Sequence, residues 1–288
     1  MSIARRPSEL ELRPRAVAIG TFDGVHLGHR RILEAVRAAR LTPTVVTFDP
    51  HPRIALGYEV ELLSSLERRL QLLGESGIED VLVLEFDLEL ARRDPEEFAE
   101  AVLRPLGTQA VVAGPNFRFG RGRSGDLALL QRLGFDIRAV PLVENVSSSR
   151  IRDLMRAGEL ERAAKLLGRA PEVEGIVVAG DARGGTLGFP TANLRVDPVL
   201  LVPAHGIYAG AADGRRAAIS IGTNPHYGGE ERRVEAYLLD FEGDLYGRRL
   251  VLQLWRRLRD EQAFESEEAL VAQIARDVEE TRAATPPV

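Results

Sequence analysis

The chain of 288 residues is 44% hydrophobic and 28% charged, carries a net charge of −5 and contains no cysteine. Its length predicts two domains, its charge gives no electrostatic case for nucleic-acid binding, and the missing cysteines exclude disulfides and thiolate metal sites. No apolar run is long enough to cross a bilayer and residues 1–15 lack an apolar signal region, so no membrane partner is expected and a cytoplasmic location is the default. Lys165 is the only lysine, so phosphate groups would be bound by arginine, histidine, backbone amides or a metal ion.

Short apolar runs alternate with helical patterns through the first half of the chain. The runs are AVAIG (16–20), TVVTF (44–48), DVLVLEF (80–86), QAVVAG (109–114) and FDIRAVP (135–141). The helical patterns cover 27–40, 64–73, 95–106 and 126–133. This alternation predicts an α/β fold whose parallel sheet is covered by helices on both faces. Ligands of such folds bind outside the carboxyl ends of the strands.

The second half begins with a helical pattern over 147–168 and continues mainly as strands from Val173 onward. The predicted strands are EGIVVAG (174–180), GIYAGAA (206–212), RRAAISIG (215–222), RRVEAYLLDF (232–241) and RRLVLQLW (248–255). Their spacing and turn signals predict an antiparallel sandwich or barrel. Residues 266–283 form an amphipathic pattern and predict a final helix. The predicted domains are 1–168 and 169–288.

The stretch GTFDGVHLGH (20–29) joins the first predicted strand to the first helix. Backbone N–H groups at a helix start bind anions, Gly20 and Gly24 let the backbone approach a ligand, and His26 and His29 add donors for a phosphate chain. Two alternatives stay open at this point. The histidine pair is a surface feature without a role, or it binds zinc together with His51.

Two further segments place arginines and hydroxyls where phosphates could bind. The glycine-containing loop around 119–126 carries Arg118, Arg121 and Arg123, either over a bound ligand or as a solvated basic turn. The segment SSSRIR (147–152) opens a predicted helix, where Ser148, Ser149 and Arg152 bind phosphates or the serines serve as N-caps.

The second half contains a glycine-dense segment, GDARGGTLGFPTANL (180–194), whose backbone amides suit phosphates. Thr191 and Asn193 at its end are hard oxygen donors that suit Mg²⁺, although a hairpin loop with an Asn turn is the alternative. Glu235 alternates with the apolar Val234 and Ala236, so it faces away from them, either as a solvent-facing carboxylate or as a base at a site.

Taken in order, these motifs resemble the bifunctional bacterial riboflavin kinase / FMN adenylyltransferase (FAD synthetase) family over nearly the whole chain. The motifs are GTFDGVHLGH, TFDPHP, GPNFRFGRGRSGD, SSSRIR, GTLGFPTANL, IGTNPHYG and VEAYLLDFEGDLYG. The resemblance implies an α/β, Rossmann-like nucleotidyltransferase domain followed by an antiparallel β-barrel kinase domain with a terminal helix. It also implies that ATP phosphorylates riboflavin to FMN in the barrel and adenylylates FMN to FAD, with release of pyrophosphate, in the first domain.

The resemblance assigns roles to individual residues of this chain. Glu235 matches the kinase base, Thr191 and Asn193 match ligands of Mg²⁺ and phosphate, and His26 and His29 match the histidines that stabilise adenylyl transfer. The remaining nucleotide and phosphate contacts that we expect are Gly20, Phe22, Gly24, Asn116, Arg118, Ser148, Ser149, Arg152, Gly180, Arg183 and Gly188.

The kinase loop departs from the family pattern, because Ala182 and Gly185 stand where a lysine and an arginine are expected. This departure predicts weaker ATP binding by the kinase. Two rival hypotheses remain at this stage: a nucleotidyltransferase acting on another phosphate substrate, such as pantetheine phosphate, and a flavin-binding protein without catalytic activity.

Overall fold

The computed structural model describes residues 1–180, 187–223 and 232–288, and it divides into two compact units. The first unit comprises 1–60 and 66–146, and the second comprises 61–65 and 147–288. Residues 147–168 therefore group with the barrel, and the domain limits at 168 and 169 stay a prediction. In the described part of the chain, no helix combines the length and apolar character that crossing a membrane requires.

The first unit contains a parallel sheet, as its sequence pattern predicts. Its strands are β1 (Ser2–Ala4), β2 (Arg15–Ile19), β3 (Thr42–Asp49), β4 (Asp80–Glu85), β5 (Thr108–Ala113) and β6 (Asp136–Ala139). They are ordered β1-β4-β3-β2-β5-β6. The sequence pattern did not predict β1, because this edge strand has only three residues and exposes Ile3. All residues of β2 are buried, since it lies in the middle of a sheet that is covered on both faces.

Helices cover both faces of this sheet. They are α1 (Leu27–Arg37), α2 (Pro52–Ala55), α3 (Leu66–Glu75), α4 (Leu88–Arg92), α5 (Pro95–Phe98), which continues into a π-helical turn at Ala99–Leu103, and α6 (Leu127–Arg132). On one face α1 and α3 bury Leu33, Val36 and Leu73 against the strands. On the other face Phe98 and Leu130 belong to a second apolar core. The α/β fold class predicted for the first half is confirmed.

The second unit combines helices with antiparallel strands. Its helices are α7 (Ser148–Arg156), α8 (Leu160–Leu167) and α9 (Glu267–Ala283). Its strands are β7 (Glu172–Val178), β8 (Ala192–Arg195), β9 (Gly206–Ala212), β10 (Arg215–Thr223), β11 (Arg232–Leu238) and β12 (Arg249–Arg259). The helical pattern predicted over 147–168 is observed as two helices, because the chain turns at Gly158, whose φ of +73° ends a helix readily.

The strands of the second unit form a closed barrel in the order β10-β11-β8-β7-β12-β9, with β9 paired to β10. Of the two architectures that the sequence allows, the barrel is therefore the one observed. Ile219, Val234 and Leu252 point into its core, and apolar residues of α7 and α8 join the same core. Strand β8 was not predicted, because glycine and proline dominate the segment before it.

Residues 61–65 lie between elements of the first unit in sequence, yet they belong to the second unit. The Leu62 amide donates to the Val199 carbonyl at 2.7 Å, and the Leu201 amide donates to the Leu62 carbonyl at 2.8 Å. The Glu174 carboxylate, 6% exposed, accepts hydrogen bonds from the Ser65 amide at 2.8 Å and the Ser65 hydroxyl at 2.9 Å. These contacts make residues 61–65 part of the barrel unit.

Candidate functional site

The loop after β2 lies where the strand order of the sheet reverses. Strand β2 pairs with β3 on one side and with β5 on the other, so the chain leaves it in one direction and later returns to its opposite side. In parallel sheets this reversal opens a crevice at the carboxyl ends of the two neighbouring strands. The loops 20–26 and 114–119 follow β2 and β5, so both predicted nucleotide segments lie at this edge.

The backbone of the loop after β2 adopts an uncommon conformation. Phe22, Gly24 and Val25 have φ values of +50°, +76° and +35°, and such angles cost energy for residues that carry side chains. Phe22, Asp23 and Val25 are 2%, 1% and 1% exposed. Burial therefore holds this strained loop in place, as is common for loops that bind a ligand.

The two predicted histidines lie together at the start of α1. His26 is the N-cap, and its Nδ1 accepts a hydrogen bond from the His29 amide at 3.3 Å. The two rings stack with their centroids 3.6 Å apart, and Phe22 lies 5.1 Å from the ring of His29. Because Nδ1 of His26 is an acceptor, a neutral His26 carries its proton on Nε2, the tautomer in which Nε2–H can donate to a phosphate oxygen.

Arg69 on α3 forms a hydrogen bond with this loop, and the sequence analysis did not predict it. Its guanidinium donates to the Thr21 carbonyl at 2.8 Å and to the Phe48 carbonyl at 3.1 Å, and its side chain is buried. Burial lowers the pKa of Arg69, while the charges of Asp23 and Asp49 act in the opposite direction. The guanidinium stays protonated in either case. The signal in the sequence was an arginine on the apolar face of α3.

The loop after β5 exposes Asn116 and Arg118 at the same edge of the sheet. Arg118 donates to the Phe117 carbonyl at 2.9 Å, and Arg121 pairs with Asp94 at 2.8 Å. Two of the three arginines predicted for this loop thus have partners within the protein. Their function as ligand contacts stays a prediction.

The SSSRIR segment opens α7, which belongs to the second unit. Ser147 is the N-cap, since its hydroxyl accepts from the Arg150 amide at 3.2 Å. Ser148 and Ser149 form the first turn, and Arg152 is 6% exposed. The capping role is therefore filled by Ser147, and binding of phosphates by Ser148, Ser149 and Arg152 stays a prediction.

In the barrel, β11 and β8 bring together two predicted site residues. Glu235 on β11 lies directly opposite Asn193 on β8, so their side chains point to the same face of the sheet. Val234 and Ala236 are 1% and 0% exposed, which places Glu235 on the outer face of the barrel, as its alternation predicts. The expected carboxylate and amide thus meet across one strand pair.

Arg233 completes this cluster, and sequence reasoning missed it. It forms an ion pair with Glu235, and its Nε and one Nη lie 3.4 and 3.3 Å from Oδ1 of Asn193. The Asn193 amide also lies against Gly180, where a Cβ would come within 2.2 Å of Nδ2. An arginine two residues before the glutamate on a strand was the available signal, because such residues share a face.

A cavity of about 260 Å³ is lined by Ala192 and Ala236, the sequence neighbours of Asn193 and Glu235, and not by the cluster residues themselves. Its walls include Pro190, Thr191 and Ala192 on one side and Phe241, Glu242 and Tyr246 on the other. Both aromatic and polar groups line it, as is common in pockets for small molecules. Gly188, with φ of +86°, lies just before this wall.

Some predicted residues lie outside the described residues. These are Arg183, Ala182 and Gly185 of the kinase loop and residues 224–228 of the IGTNPHYG motif. Within the described ranges, no group of three histidine, aspartate or glutamate side chains could hold a metal ion. The zinc alternative for the histidine pair therefore finds no such group there, and Nδ1 of His51 instead accepts from the Arg53 amide at 3.2 Å.

Both halves of the chain match known protein families. A family model described as FAD synthetase matches residues 8–152, and one described as riboflavin kinase matches 167–285. Bifunctional riboflavin kinase/FMN adenylyltransferases of Listeria monocytogenes and Escherichia coli are 33% and 36% identical, over 93% and 91% of this chain and 92% and 90% of theirs. The relative of the same name from Pseudomonas fluorescens is 36% identical over 96% of this chain and 95% of its own.

A solved structure shares the fold of the chain. It is called a macrolide-efflux protein from Streptococcus pneumoniae, is 31% identical, and matches with a TM-score of 0.87 over 98% of this chain and 99% of that one.

Proposed function

Since the chain belongs to the bifunctional riboflavin kinase/FMN adenylyltransferase family, we propose that its two reactions use the two clusters described above. The chain phosphorylates riboflavin to FMN with ATP, and it adenylylates FMN with a second ATP to give FAD and pyrophosphate. The proposal concerns the residues that perform each step. We place both reactions in the cytoplasm, where ATP is supplied.

In the barrel, Glu235 acts as the general base. It accepts the proton of the ribityl 5′-hydroxyl, whose oxygen then attacks the γ-phosphorus of ATP while the bond to the β,γ-bridging oxygen breaks and ADP leaves. The observation that supports this assignment is the pairing of Glu235 with Asn193 across β11 and β8. Thr191, two residues before Asn193 in sequence, lines a cavity whose walls do not include Glu235. That cavity is the proposed site for part of the nucleotide, with Gly180, Arg183 and Gly188 in the segment that holds its phosphates.

The donors near Glu235 fit a magnesium ion. Thr191 and Asn193 offer a hydroxyl and an amide oxygen, the hard donors that Mg²⁺ accepts alongside phosphate and water. Gly180 leaves the space in which the Asn193 amide lies, so this donor is held by the fold. When bound there, Mg²⁺ neutralises negative charge on the phosphates of ATP.

In the first unit, the start of α1 holds the phosphates of the second ATP. Backbone amides at the helix start and the Nε2–H of His26 donate to phosphate oxygens, and His29 stacks beside it. The FMN phosphate oxygen attacks the α-phosphorus, and pyrophosphate leaves. Gly20, Phe22 and Gly24 shape this loop. Asn116 and Arg118 are the further contacts that we propose in this unit. Phosphate binding by Ser148, Ser149 and Arg152, which belong to the second unit, stays a prediction from the resemblance.

Two single variants test the assignment in the full chain. Glu235→Gln should abolish formation of FMN from riboflavin, because the amide cannot accept the proton, while conversion of FMN to FAD continues. His29→Ala should lower FAD formation and leave FMN formation unchanged. A chromatographic time course with riboflavin, ATP and Mg²⁺ separates the two products. Normal FMN production by Glu235→Gln would show that another group is the base, and equal loss of both activities in His29→Ala would show that the histidine acts through folding.

A further inference from the structure

Arg233 contacts both kinase residues of the barrel at once. Its guanidinium forms an ion pair with Glu235 and approaches the Oδ1 atom of Asn193 at 3.3 and 3.4 Å. The side chains of Arg233 and Glu235 are only 33% and 21% exposed. The guanidinium of Arg233 therefore contacts both Glu235, the proposed base, and Asn193, the proposed ligand of Mg²⁺.

The barrel itself fixes this arrangement. Arg233 and Glu235 are two residues apart on β11, so they share the outer face, and Asn193 lies opposite Glu235 on β8. On its other side the Asn193 amide lies against Gly180, where a Cβ would come within 2.2 Å of Nδ2. Backbone pairing sets the positions of Arg233, Glu235 and Asn193. The guanidinium of Arg233 can therefore leave Glu235 and Asn193 without a change in the fold.

A guanidinium binds phosphate through two parallel hydrogen bonds, and the phosphates of ATP carry more negative charge than one carboxylate. The only lysine, Lys165, lies on α8, so the kinase site has arginine as its cationic side chain for phosphate. A carboxylate that is held in an ion pair is a weaker base than one released from it. ATP bound beside β8 would therefore compete with Glu235 and Asn193 for Arg233.

On the basis of the proposed kinase site, we propose that Arg233 is a positioning residue that ATP switches. Without nucleotide it holds the Glu235 carboxylate and the Asn193 amide together. When ATP binds, the guanidinium moves to the phosphates, which frees Glu235 to accept the proton of the ribityl hydroxyl and Asn193 to face the metal ion. Nucleotide binding thus precedes activation of the base.

The test compares Arg233→Gln and Arg233→Lys with a matched control, Arg248→Gln. Arg248 forms an exposed ion pair with Asp213 at 3.2 Å elsewhere on the barrel. Losing a charge-assisted contact to phosphate should raise the KM for ATP about tenfold in Arg233→Gln. Its kcat for FMN formation should fall by a similar factor, because no guanidinium orients the ATP phosphates during transfer, while the KM for riboflavin changes little. Arg233→Lys keeps the charge without the fork, so it should recover the KM for ATP and not kcat.

Each outcome decides the proposal. A merely structural arginine would change the KM values of both substrates together, or would leave Arg233→Lys and Arg233→Gln alike, and either result overturns the switching role. Kinetics of Arg233→Gln equal to those of Arg248→Gln would overturn it as well. Glu235→Gln, assayed in parallel, separates failure of the Arg233 proposal from failure of the kinase assignment. If Glu235→Gln still makes FMN, Glu235 is not the base. If Glu235→Gln is inactive while Arg233→Gln is unaffected, only the role of Arg233 is refuted. FAD formation from FMN serves as the folding control in every variant.

Discussion

Replacing the buried Arg69 by methionine should loosen the loop that carries the histidine pair. The substitution keeps the length of the side chain but removes two hydrogen bonds, to the carbonyls of Thr21 at 2.8 Å and Phe48 at 3.1 Å. Each bond from a charged donor contributes roughly 1.5 kcal/mol, so together they stabilise the closed loop by about 3 kcal/mol. The buried carboxylate of Asp23 also loses a nearby positive charge, which adds to the effect.

Hydrogen exchange measures this loosening directly. A loss of about 3 kcal/mol in the free energy of local opening corresponds to exchange roughly two orders of magnitude faster for the affected amides. We expect that acceleration in peptides covering residues 16–30 and 42–50, together with slower FAD formation. Trp255, the only tryptophan, lies in the barrel, so its fluorescence should report an unchanged unfolding midpoint for the second unit.

Arg138→Met provides the matched control in the same unit. Arg138 pairs with Asp136 at 3.1 Å, with 40% and 60% of the two side chains exposed, so its loss should cost at most about 1 kcal/mol. Arg69→Lys, which keeps the charge but not the two-pronged geometry, should lie between these variants. If Arg69→Met exchanges no faster than Arg138→Met, the arginine does not hold the loop and the reasoning is wrong.

Three more predictions concern the barrel. Glu174→Gln weakens the hydrogen bonds from Ser65, at 2.8 and 2.9 Å, and should lower the free energy of unfolding by about 2 kcal/mol. Urea titration followed by tryptophan fluorescence measures this loss, and an unchanged midpoint would contradict it. Gly180→Ala places a Cβ within 2.2 Å of the Asn193 amide and should abolish FMN formation while FAD formation from FMN persists; full kinase activity would mean that the amide can move without consequence. Burial raises the pKa of Tyr208. Its contribution to the free energy of unfolding is therefore complete below about pH 10 and is lost as pH rises through the higher pKa of the folded state. Tyr208→Phe should remove this loss of stability at alkaline pH, and an unfolding free energy with the same pH dependence in both proteins would refute the prediction.

The strands of the first sheet were predictable because burial on both faces produces continuous apolar runs. Strand β2 was predicted at 16–20 and observed at Arg15–Ile19, and β4 was predicted at 80–86 and observed at Asp80–Glu85. Short or mixed segments lack that signal. The three residues of β1 expose one apolar side chain, and β8 follows a segment rich in glycine and proline.

The positions of the candidate site residues were predictable where a local sequence pattern contains them. The histidine pair follows a strand and begins a helix, and Glu235 interrupts an apolar strand, so both are visible in the sequence. Arg69 and Arg233 were missed, because their partners are set by tertiary packing and strand pairing. A hydrogen bond from Arg69 to Thr21 joins residues 48 positions apart, and no local pattern contains that separation.

The exchange of residues 61–65 into the barrel unit has a consequence for how such a protein can be divided or evolve. No single cut yields both halves whole, since a fragment beginning at residue 147 leaves behind the piece that contains Leu62 and Ser65. Such a fragment would lose the Ser65 donors to the buried carboxylate of Glu174 and keep only its ion pair with Arg249 on β12. The two units are therefore interleaved in sequence, and any rearrangement that separates them must carry residues 61–65 along with the barrel.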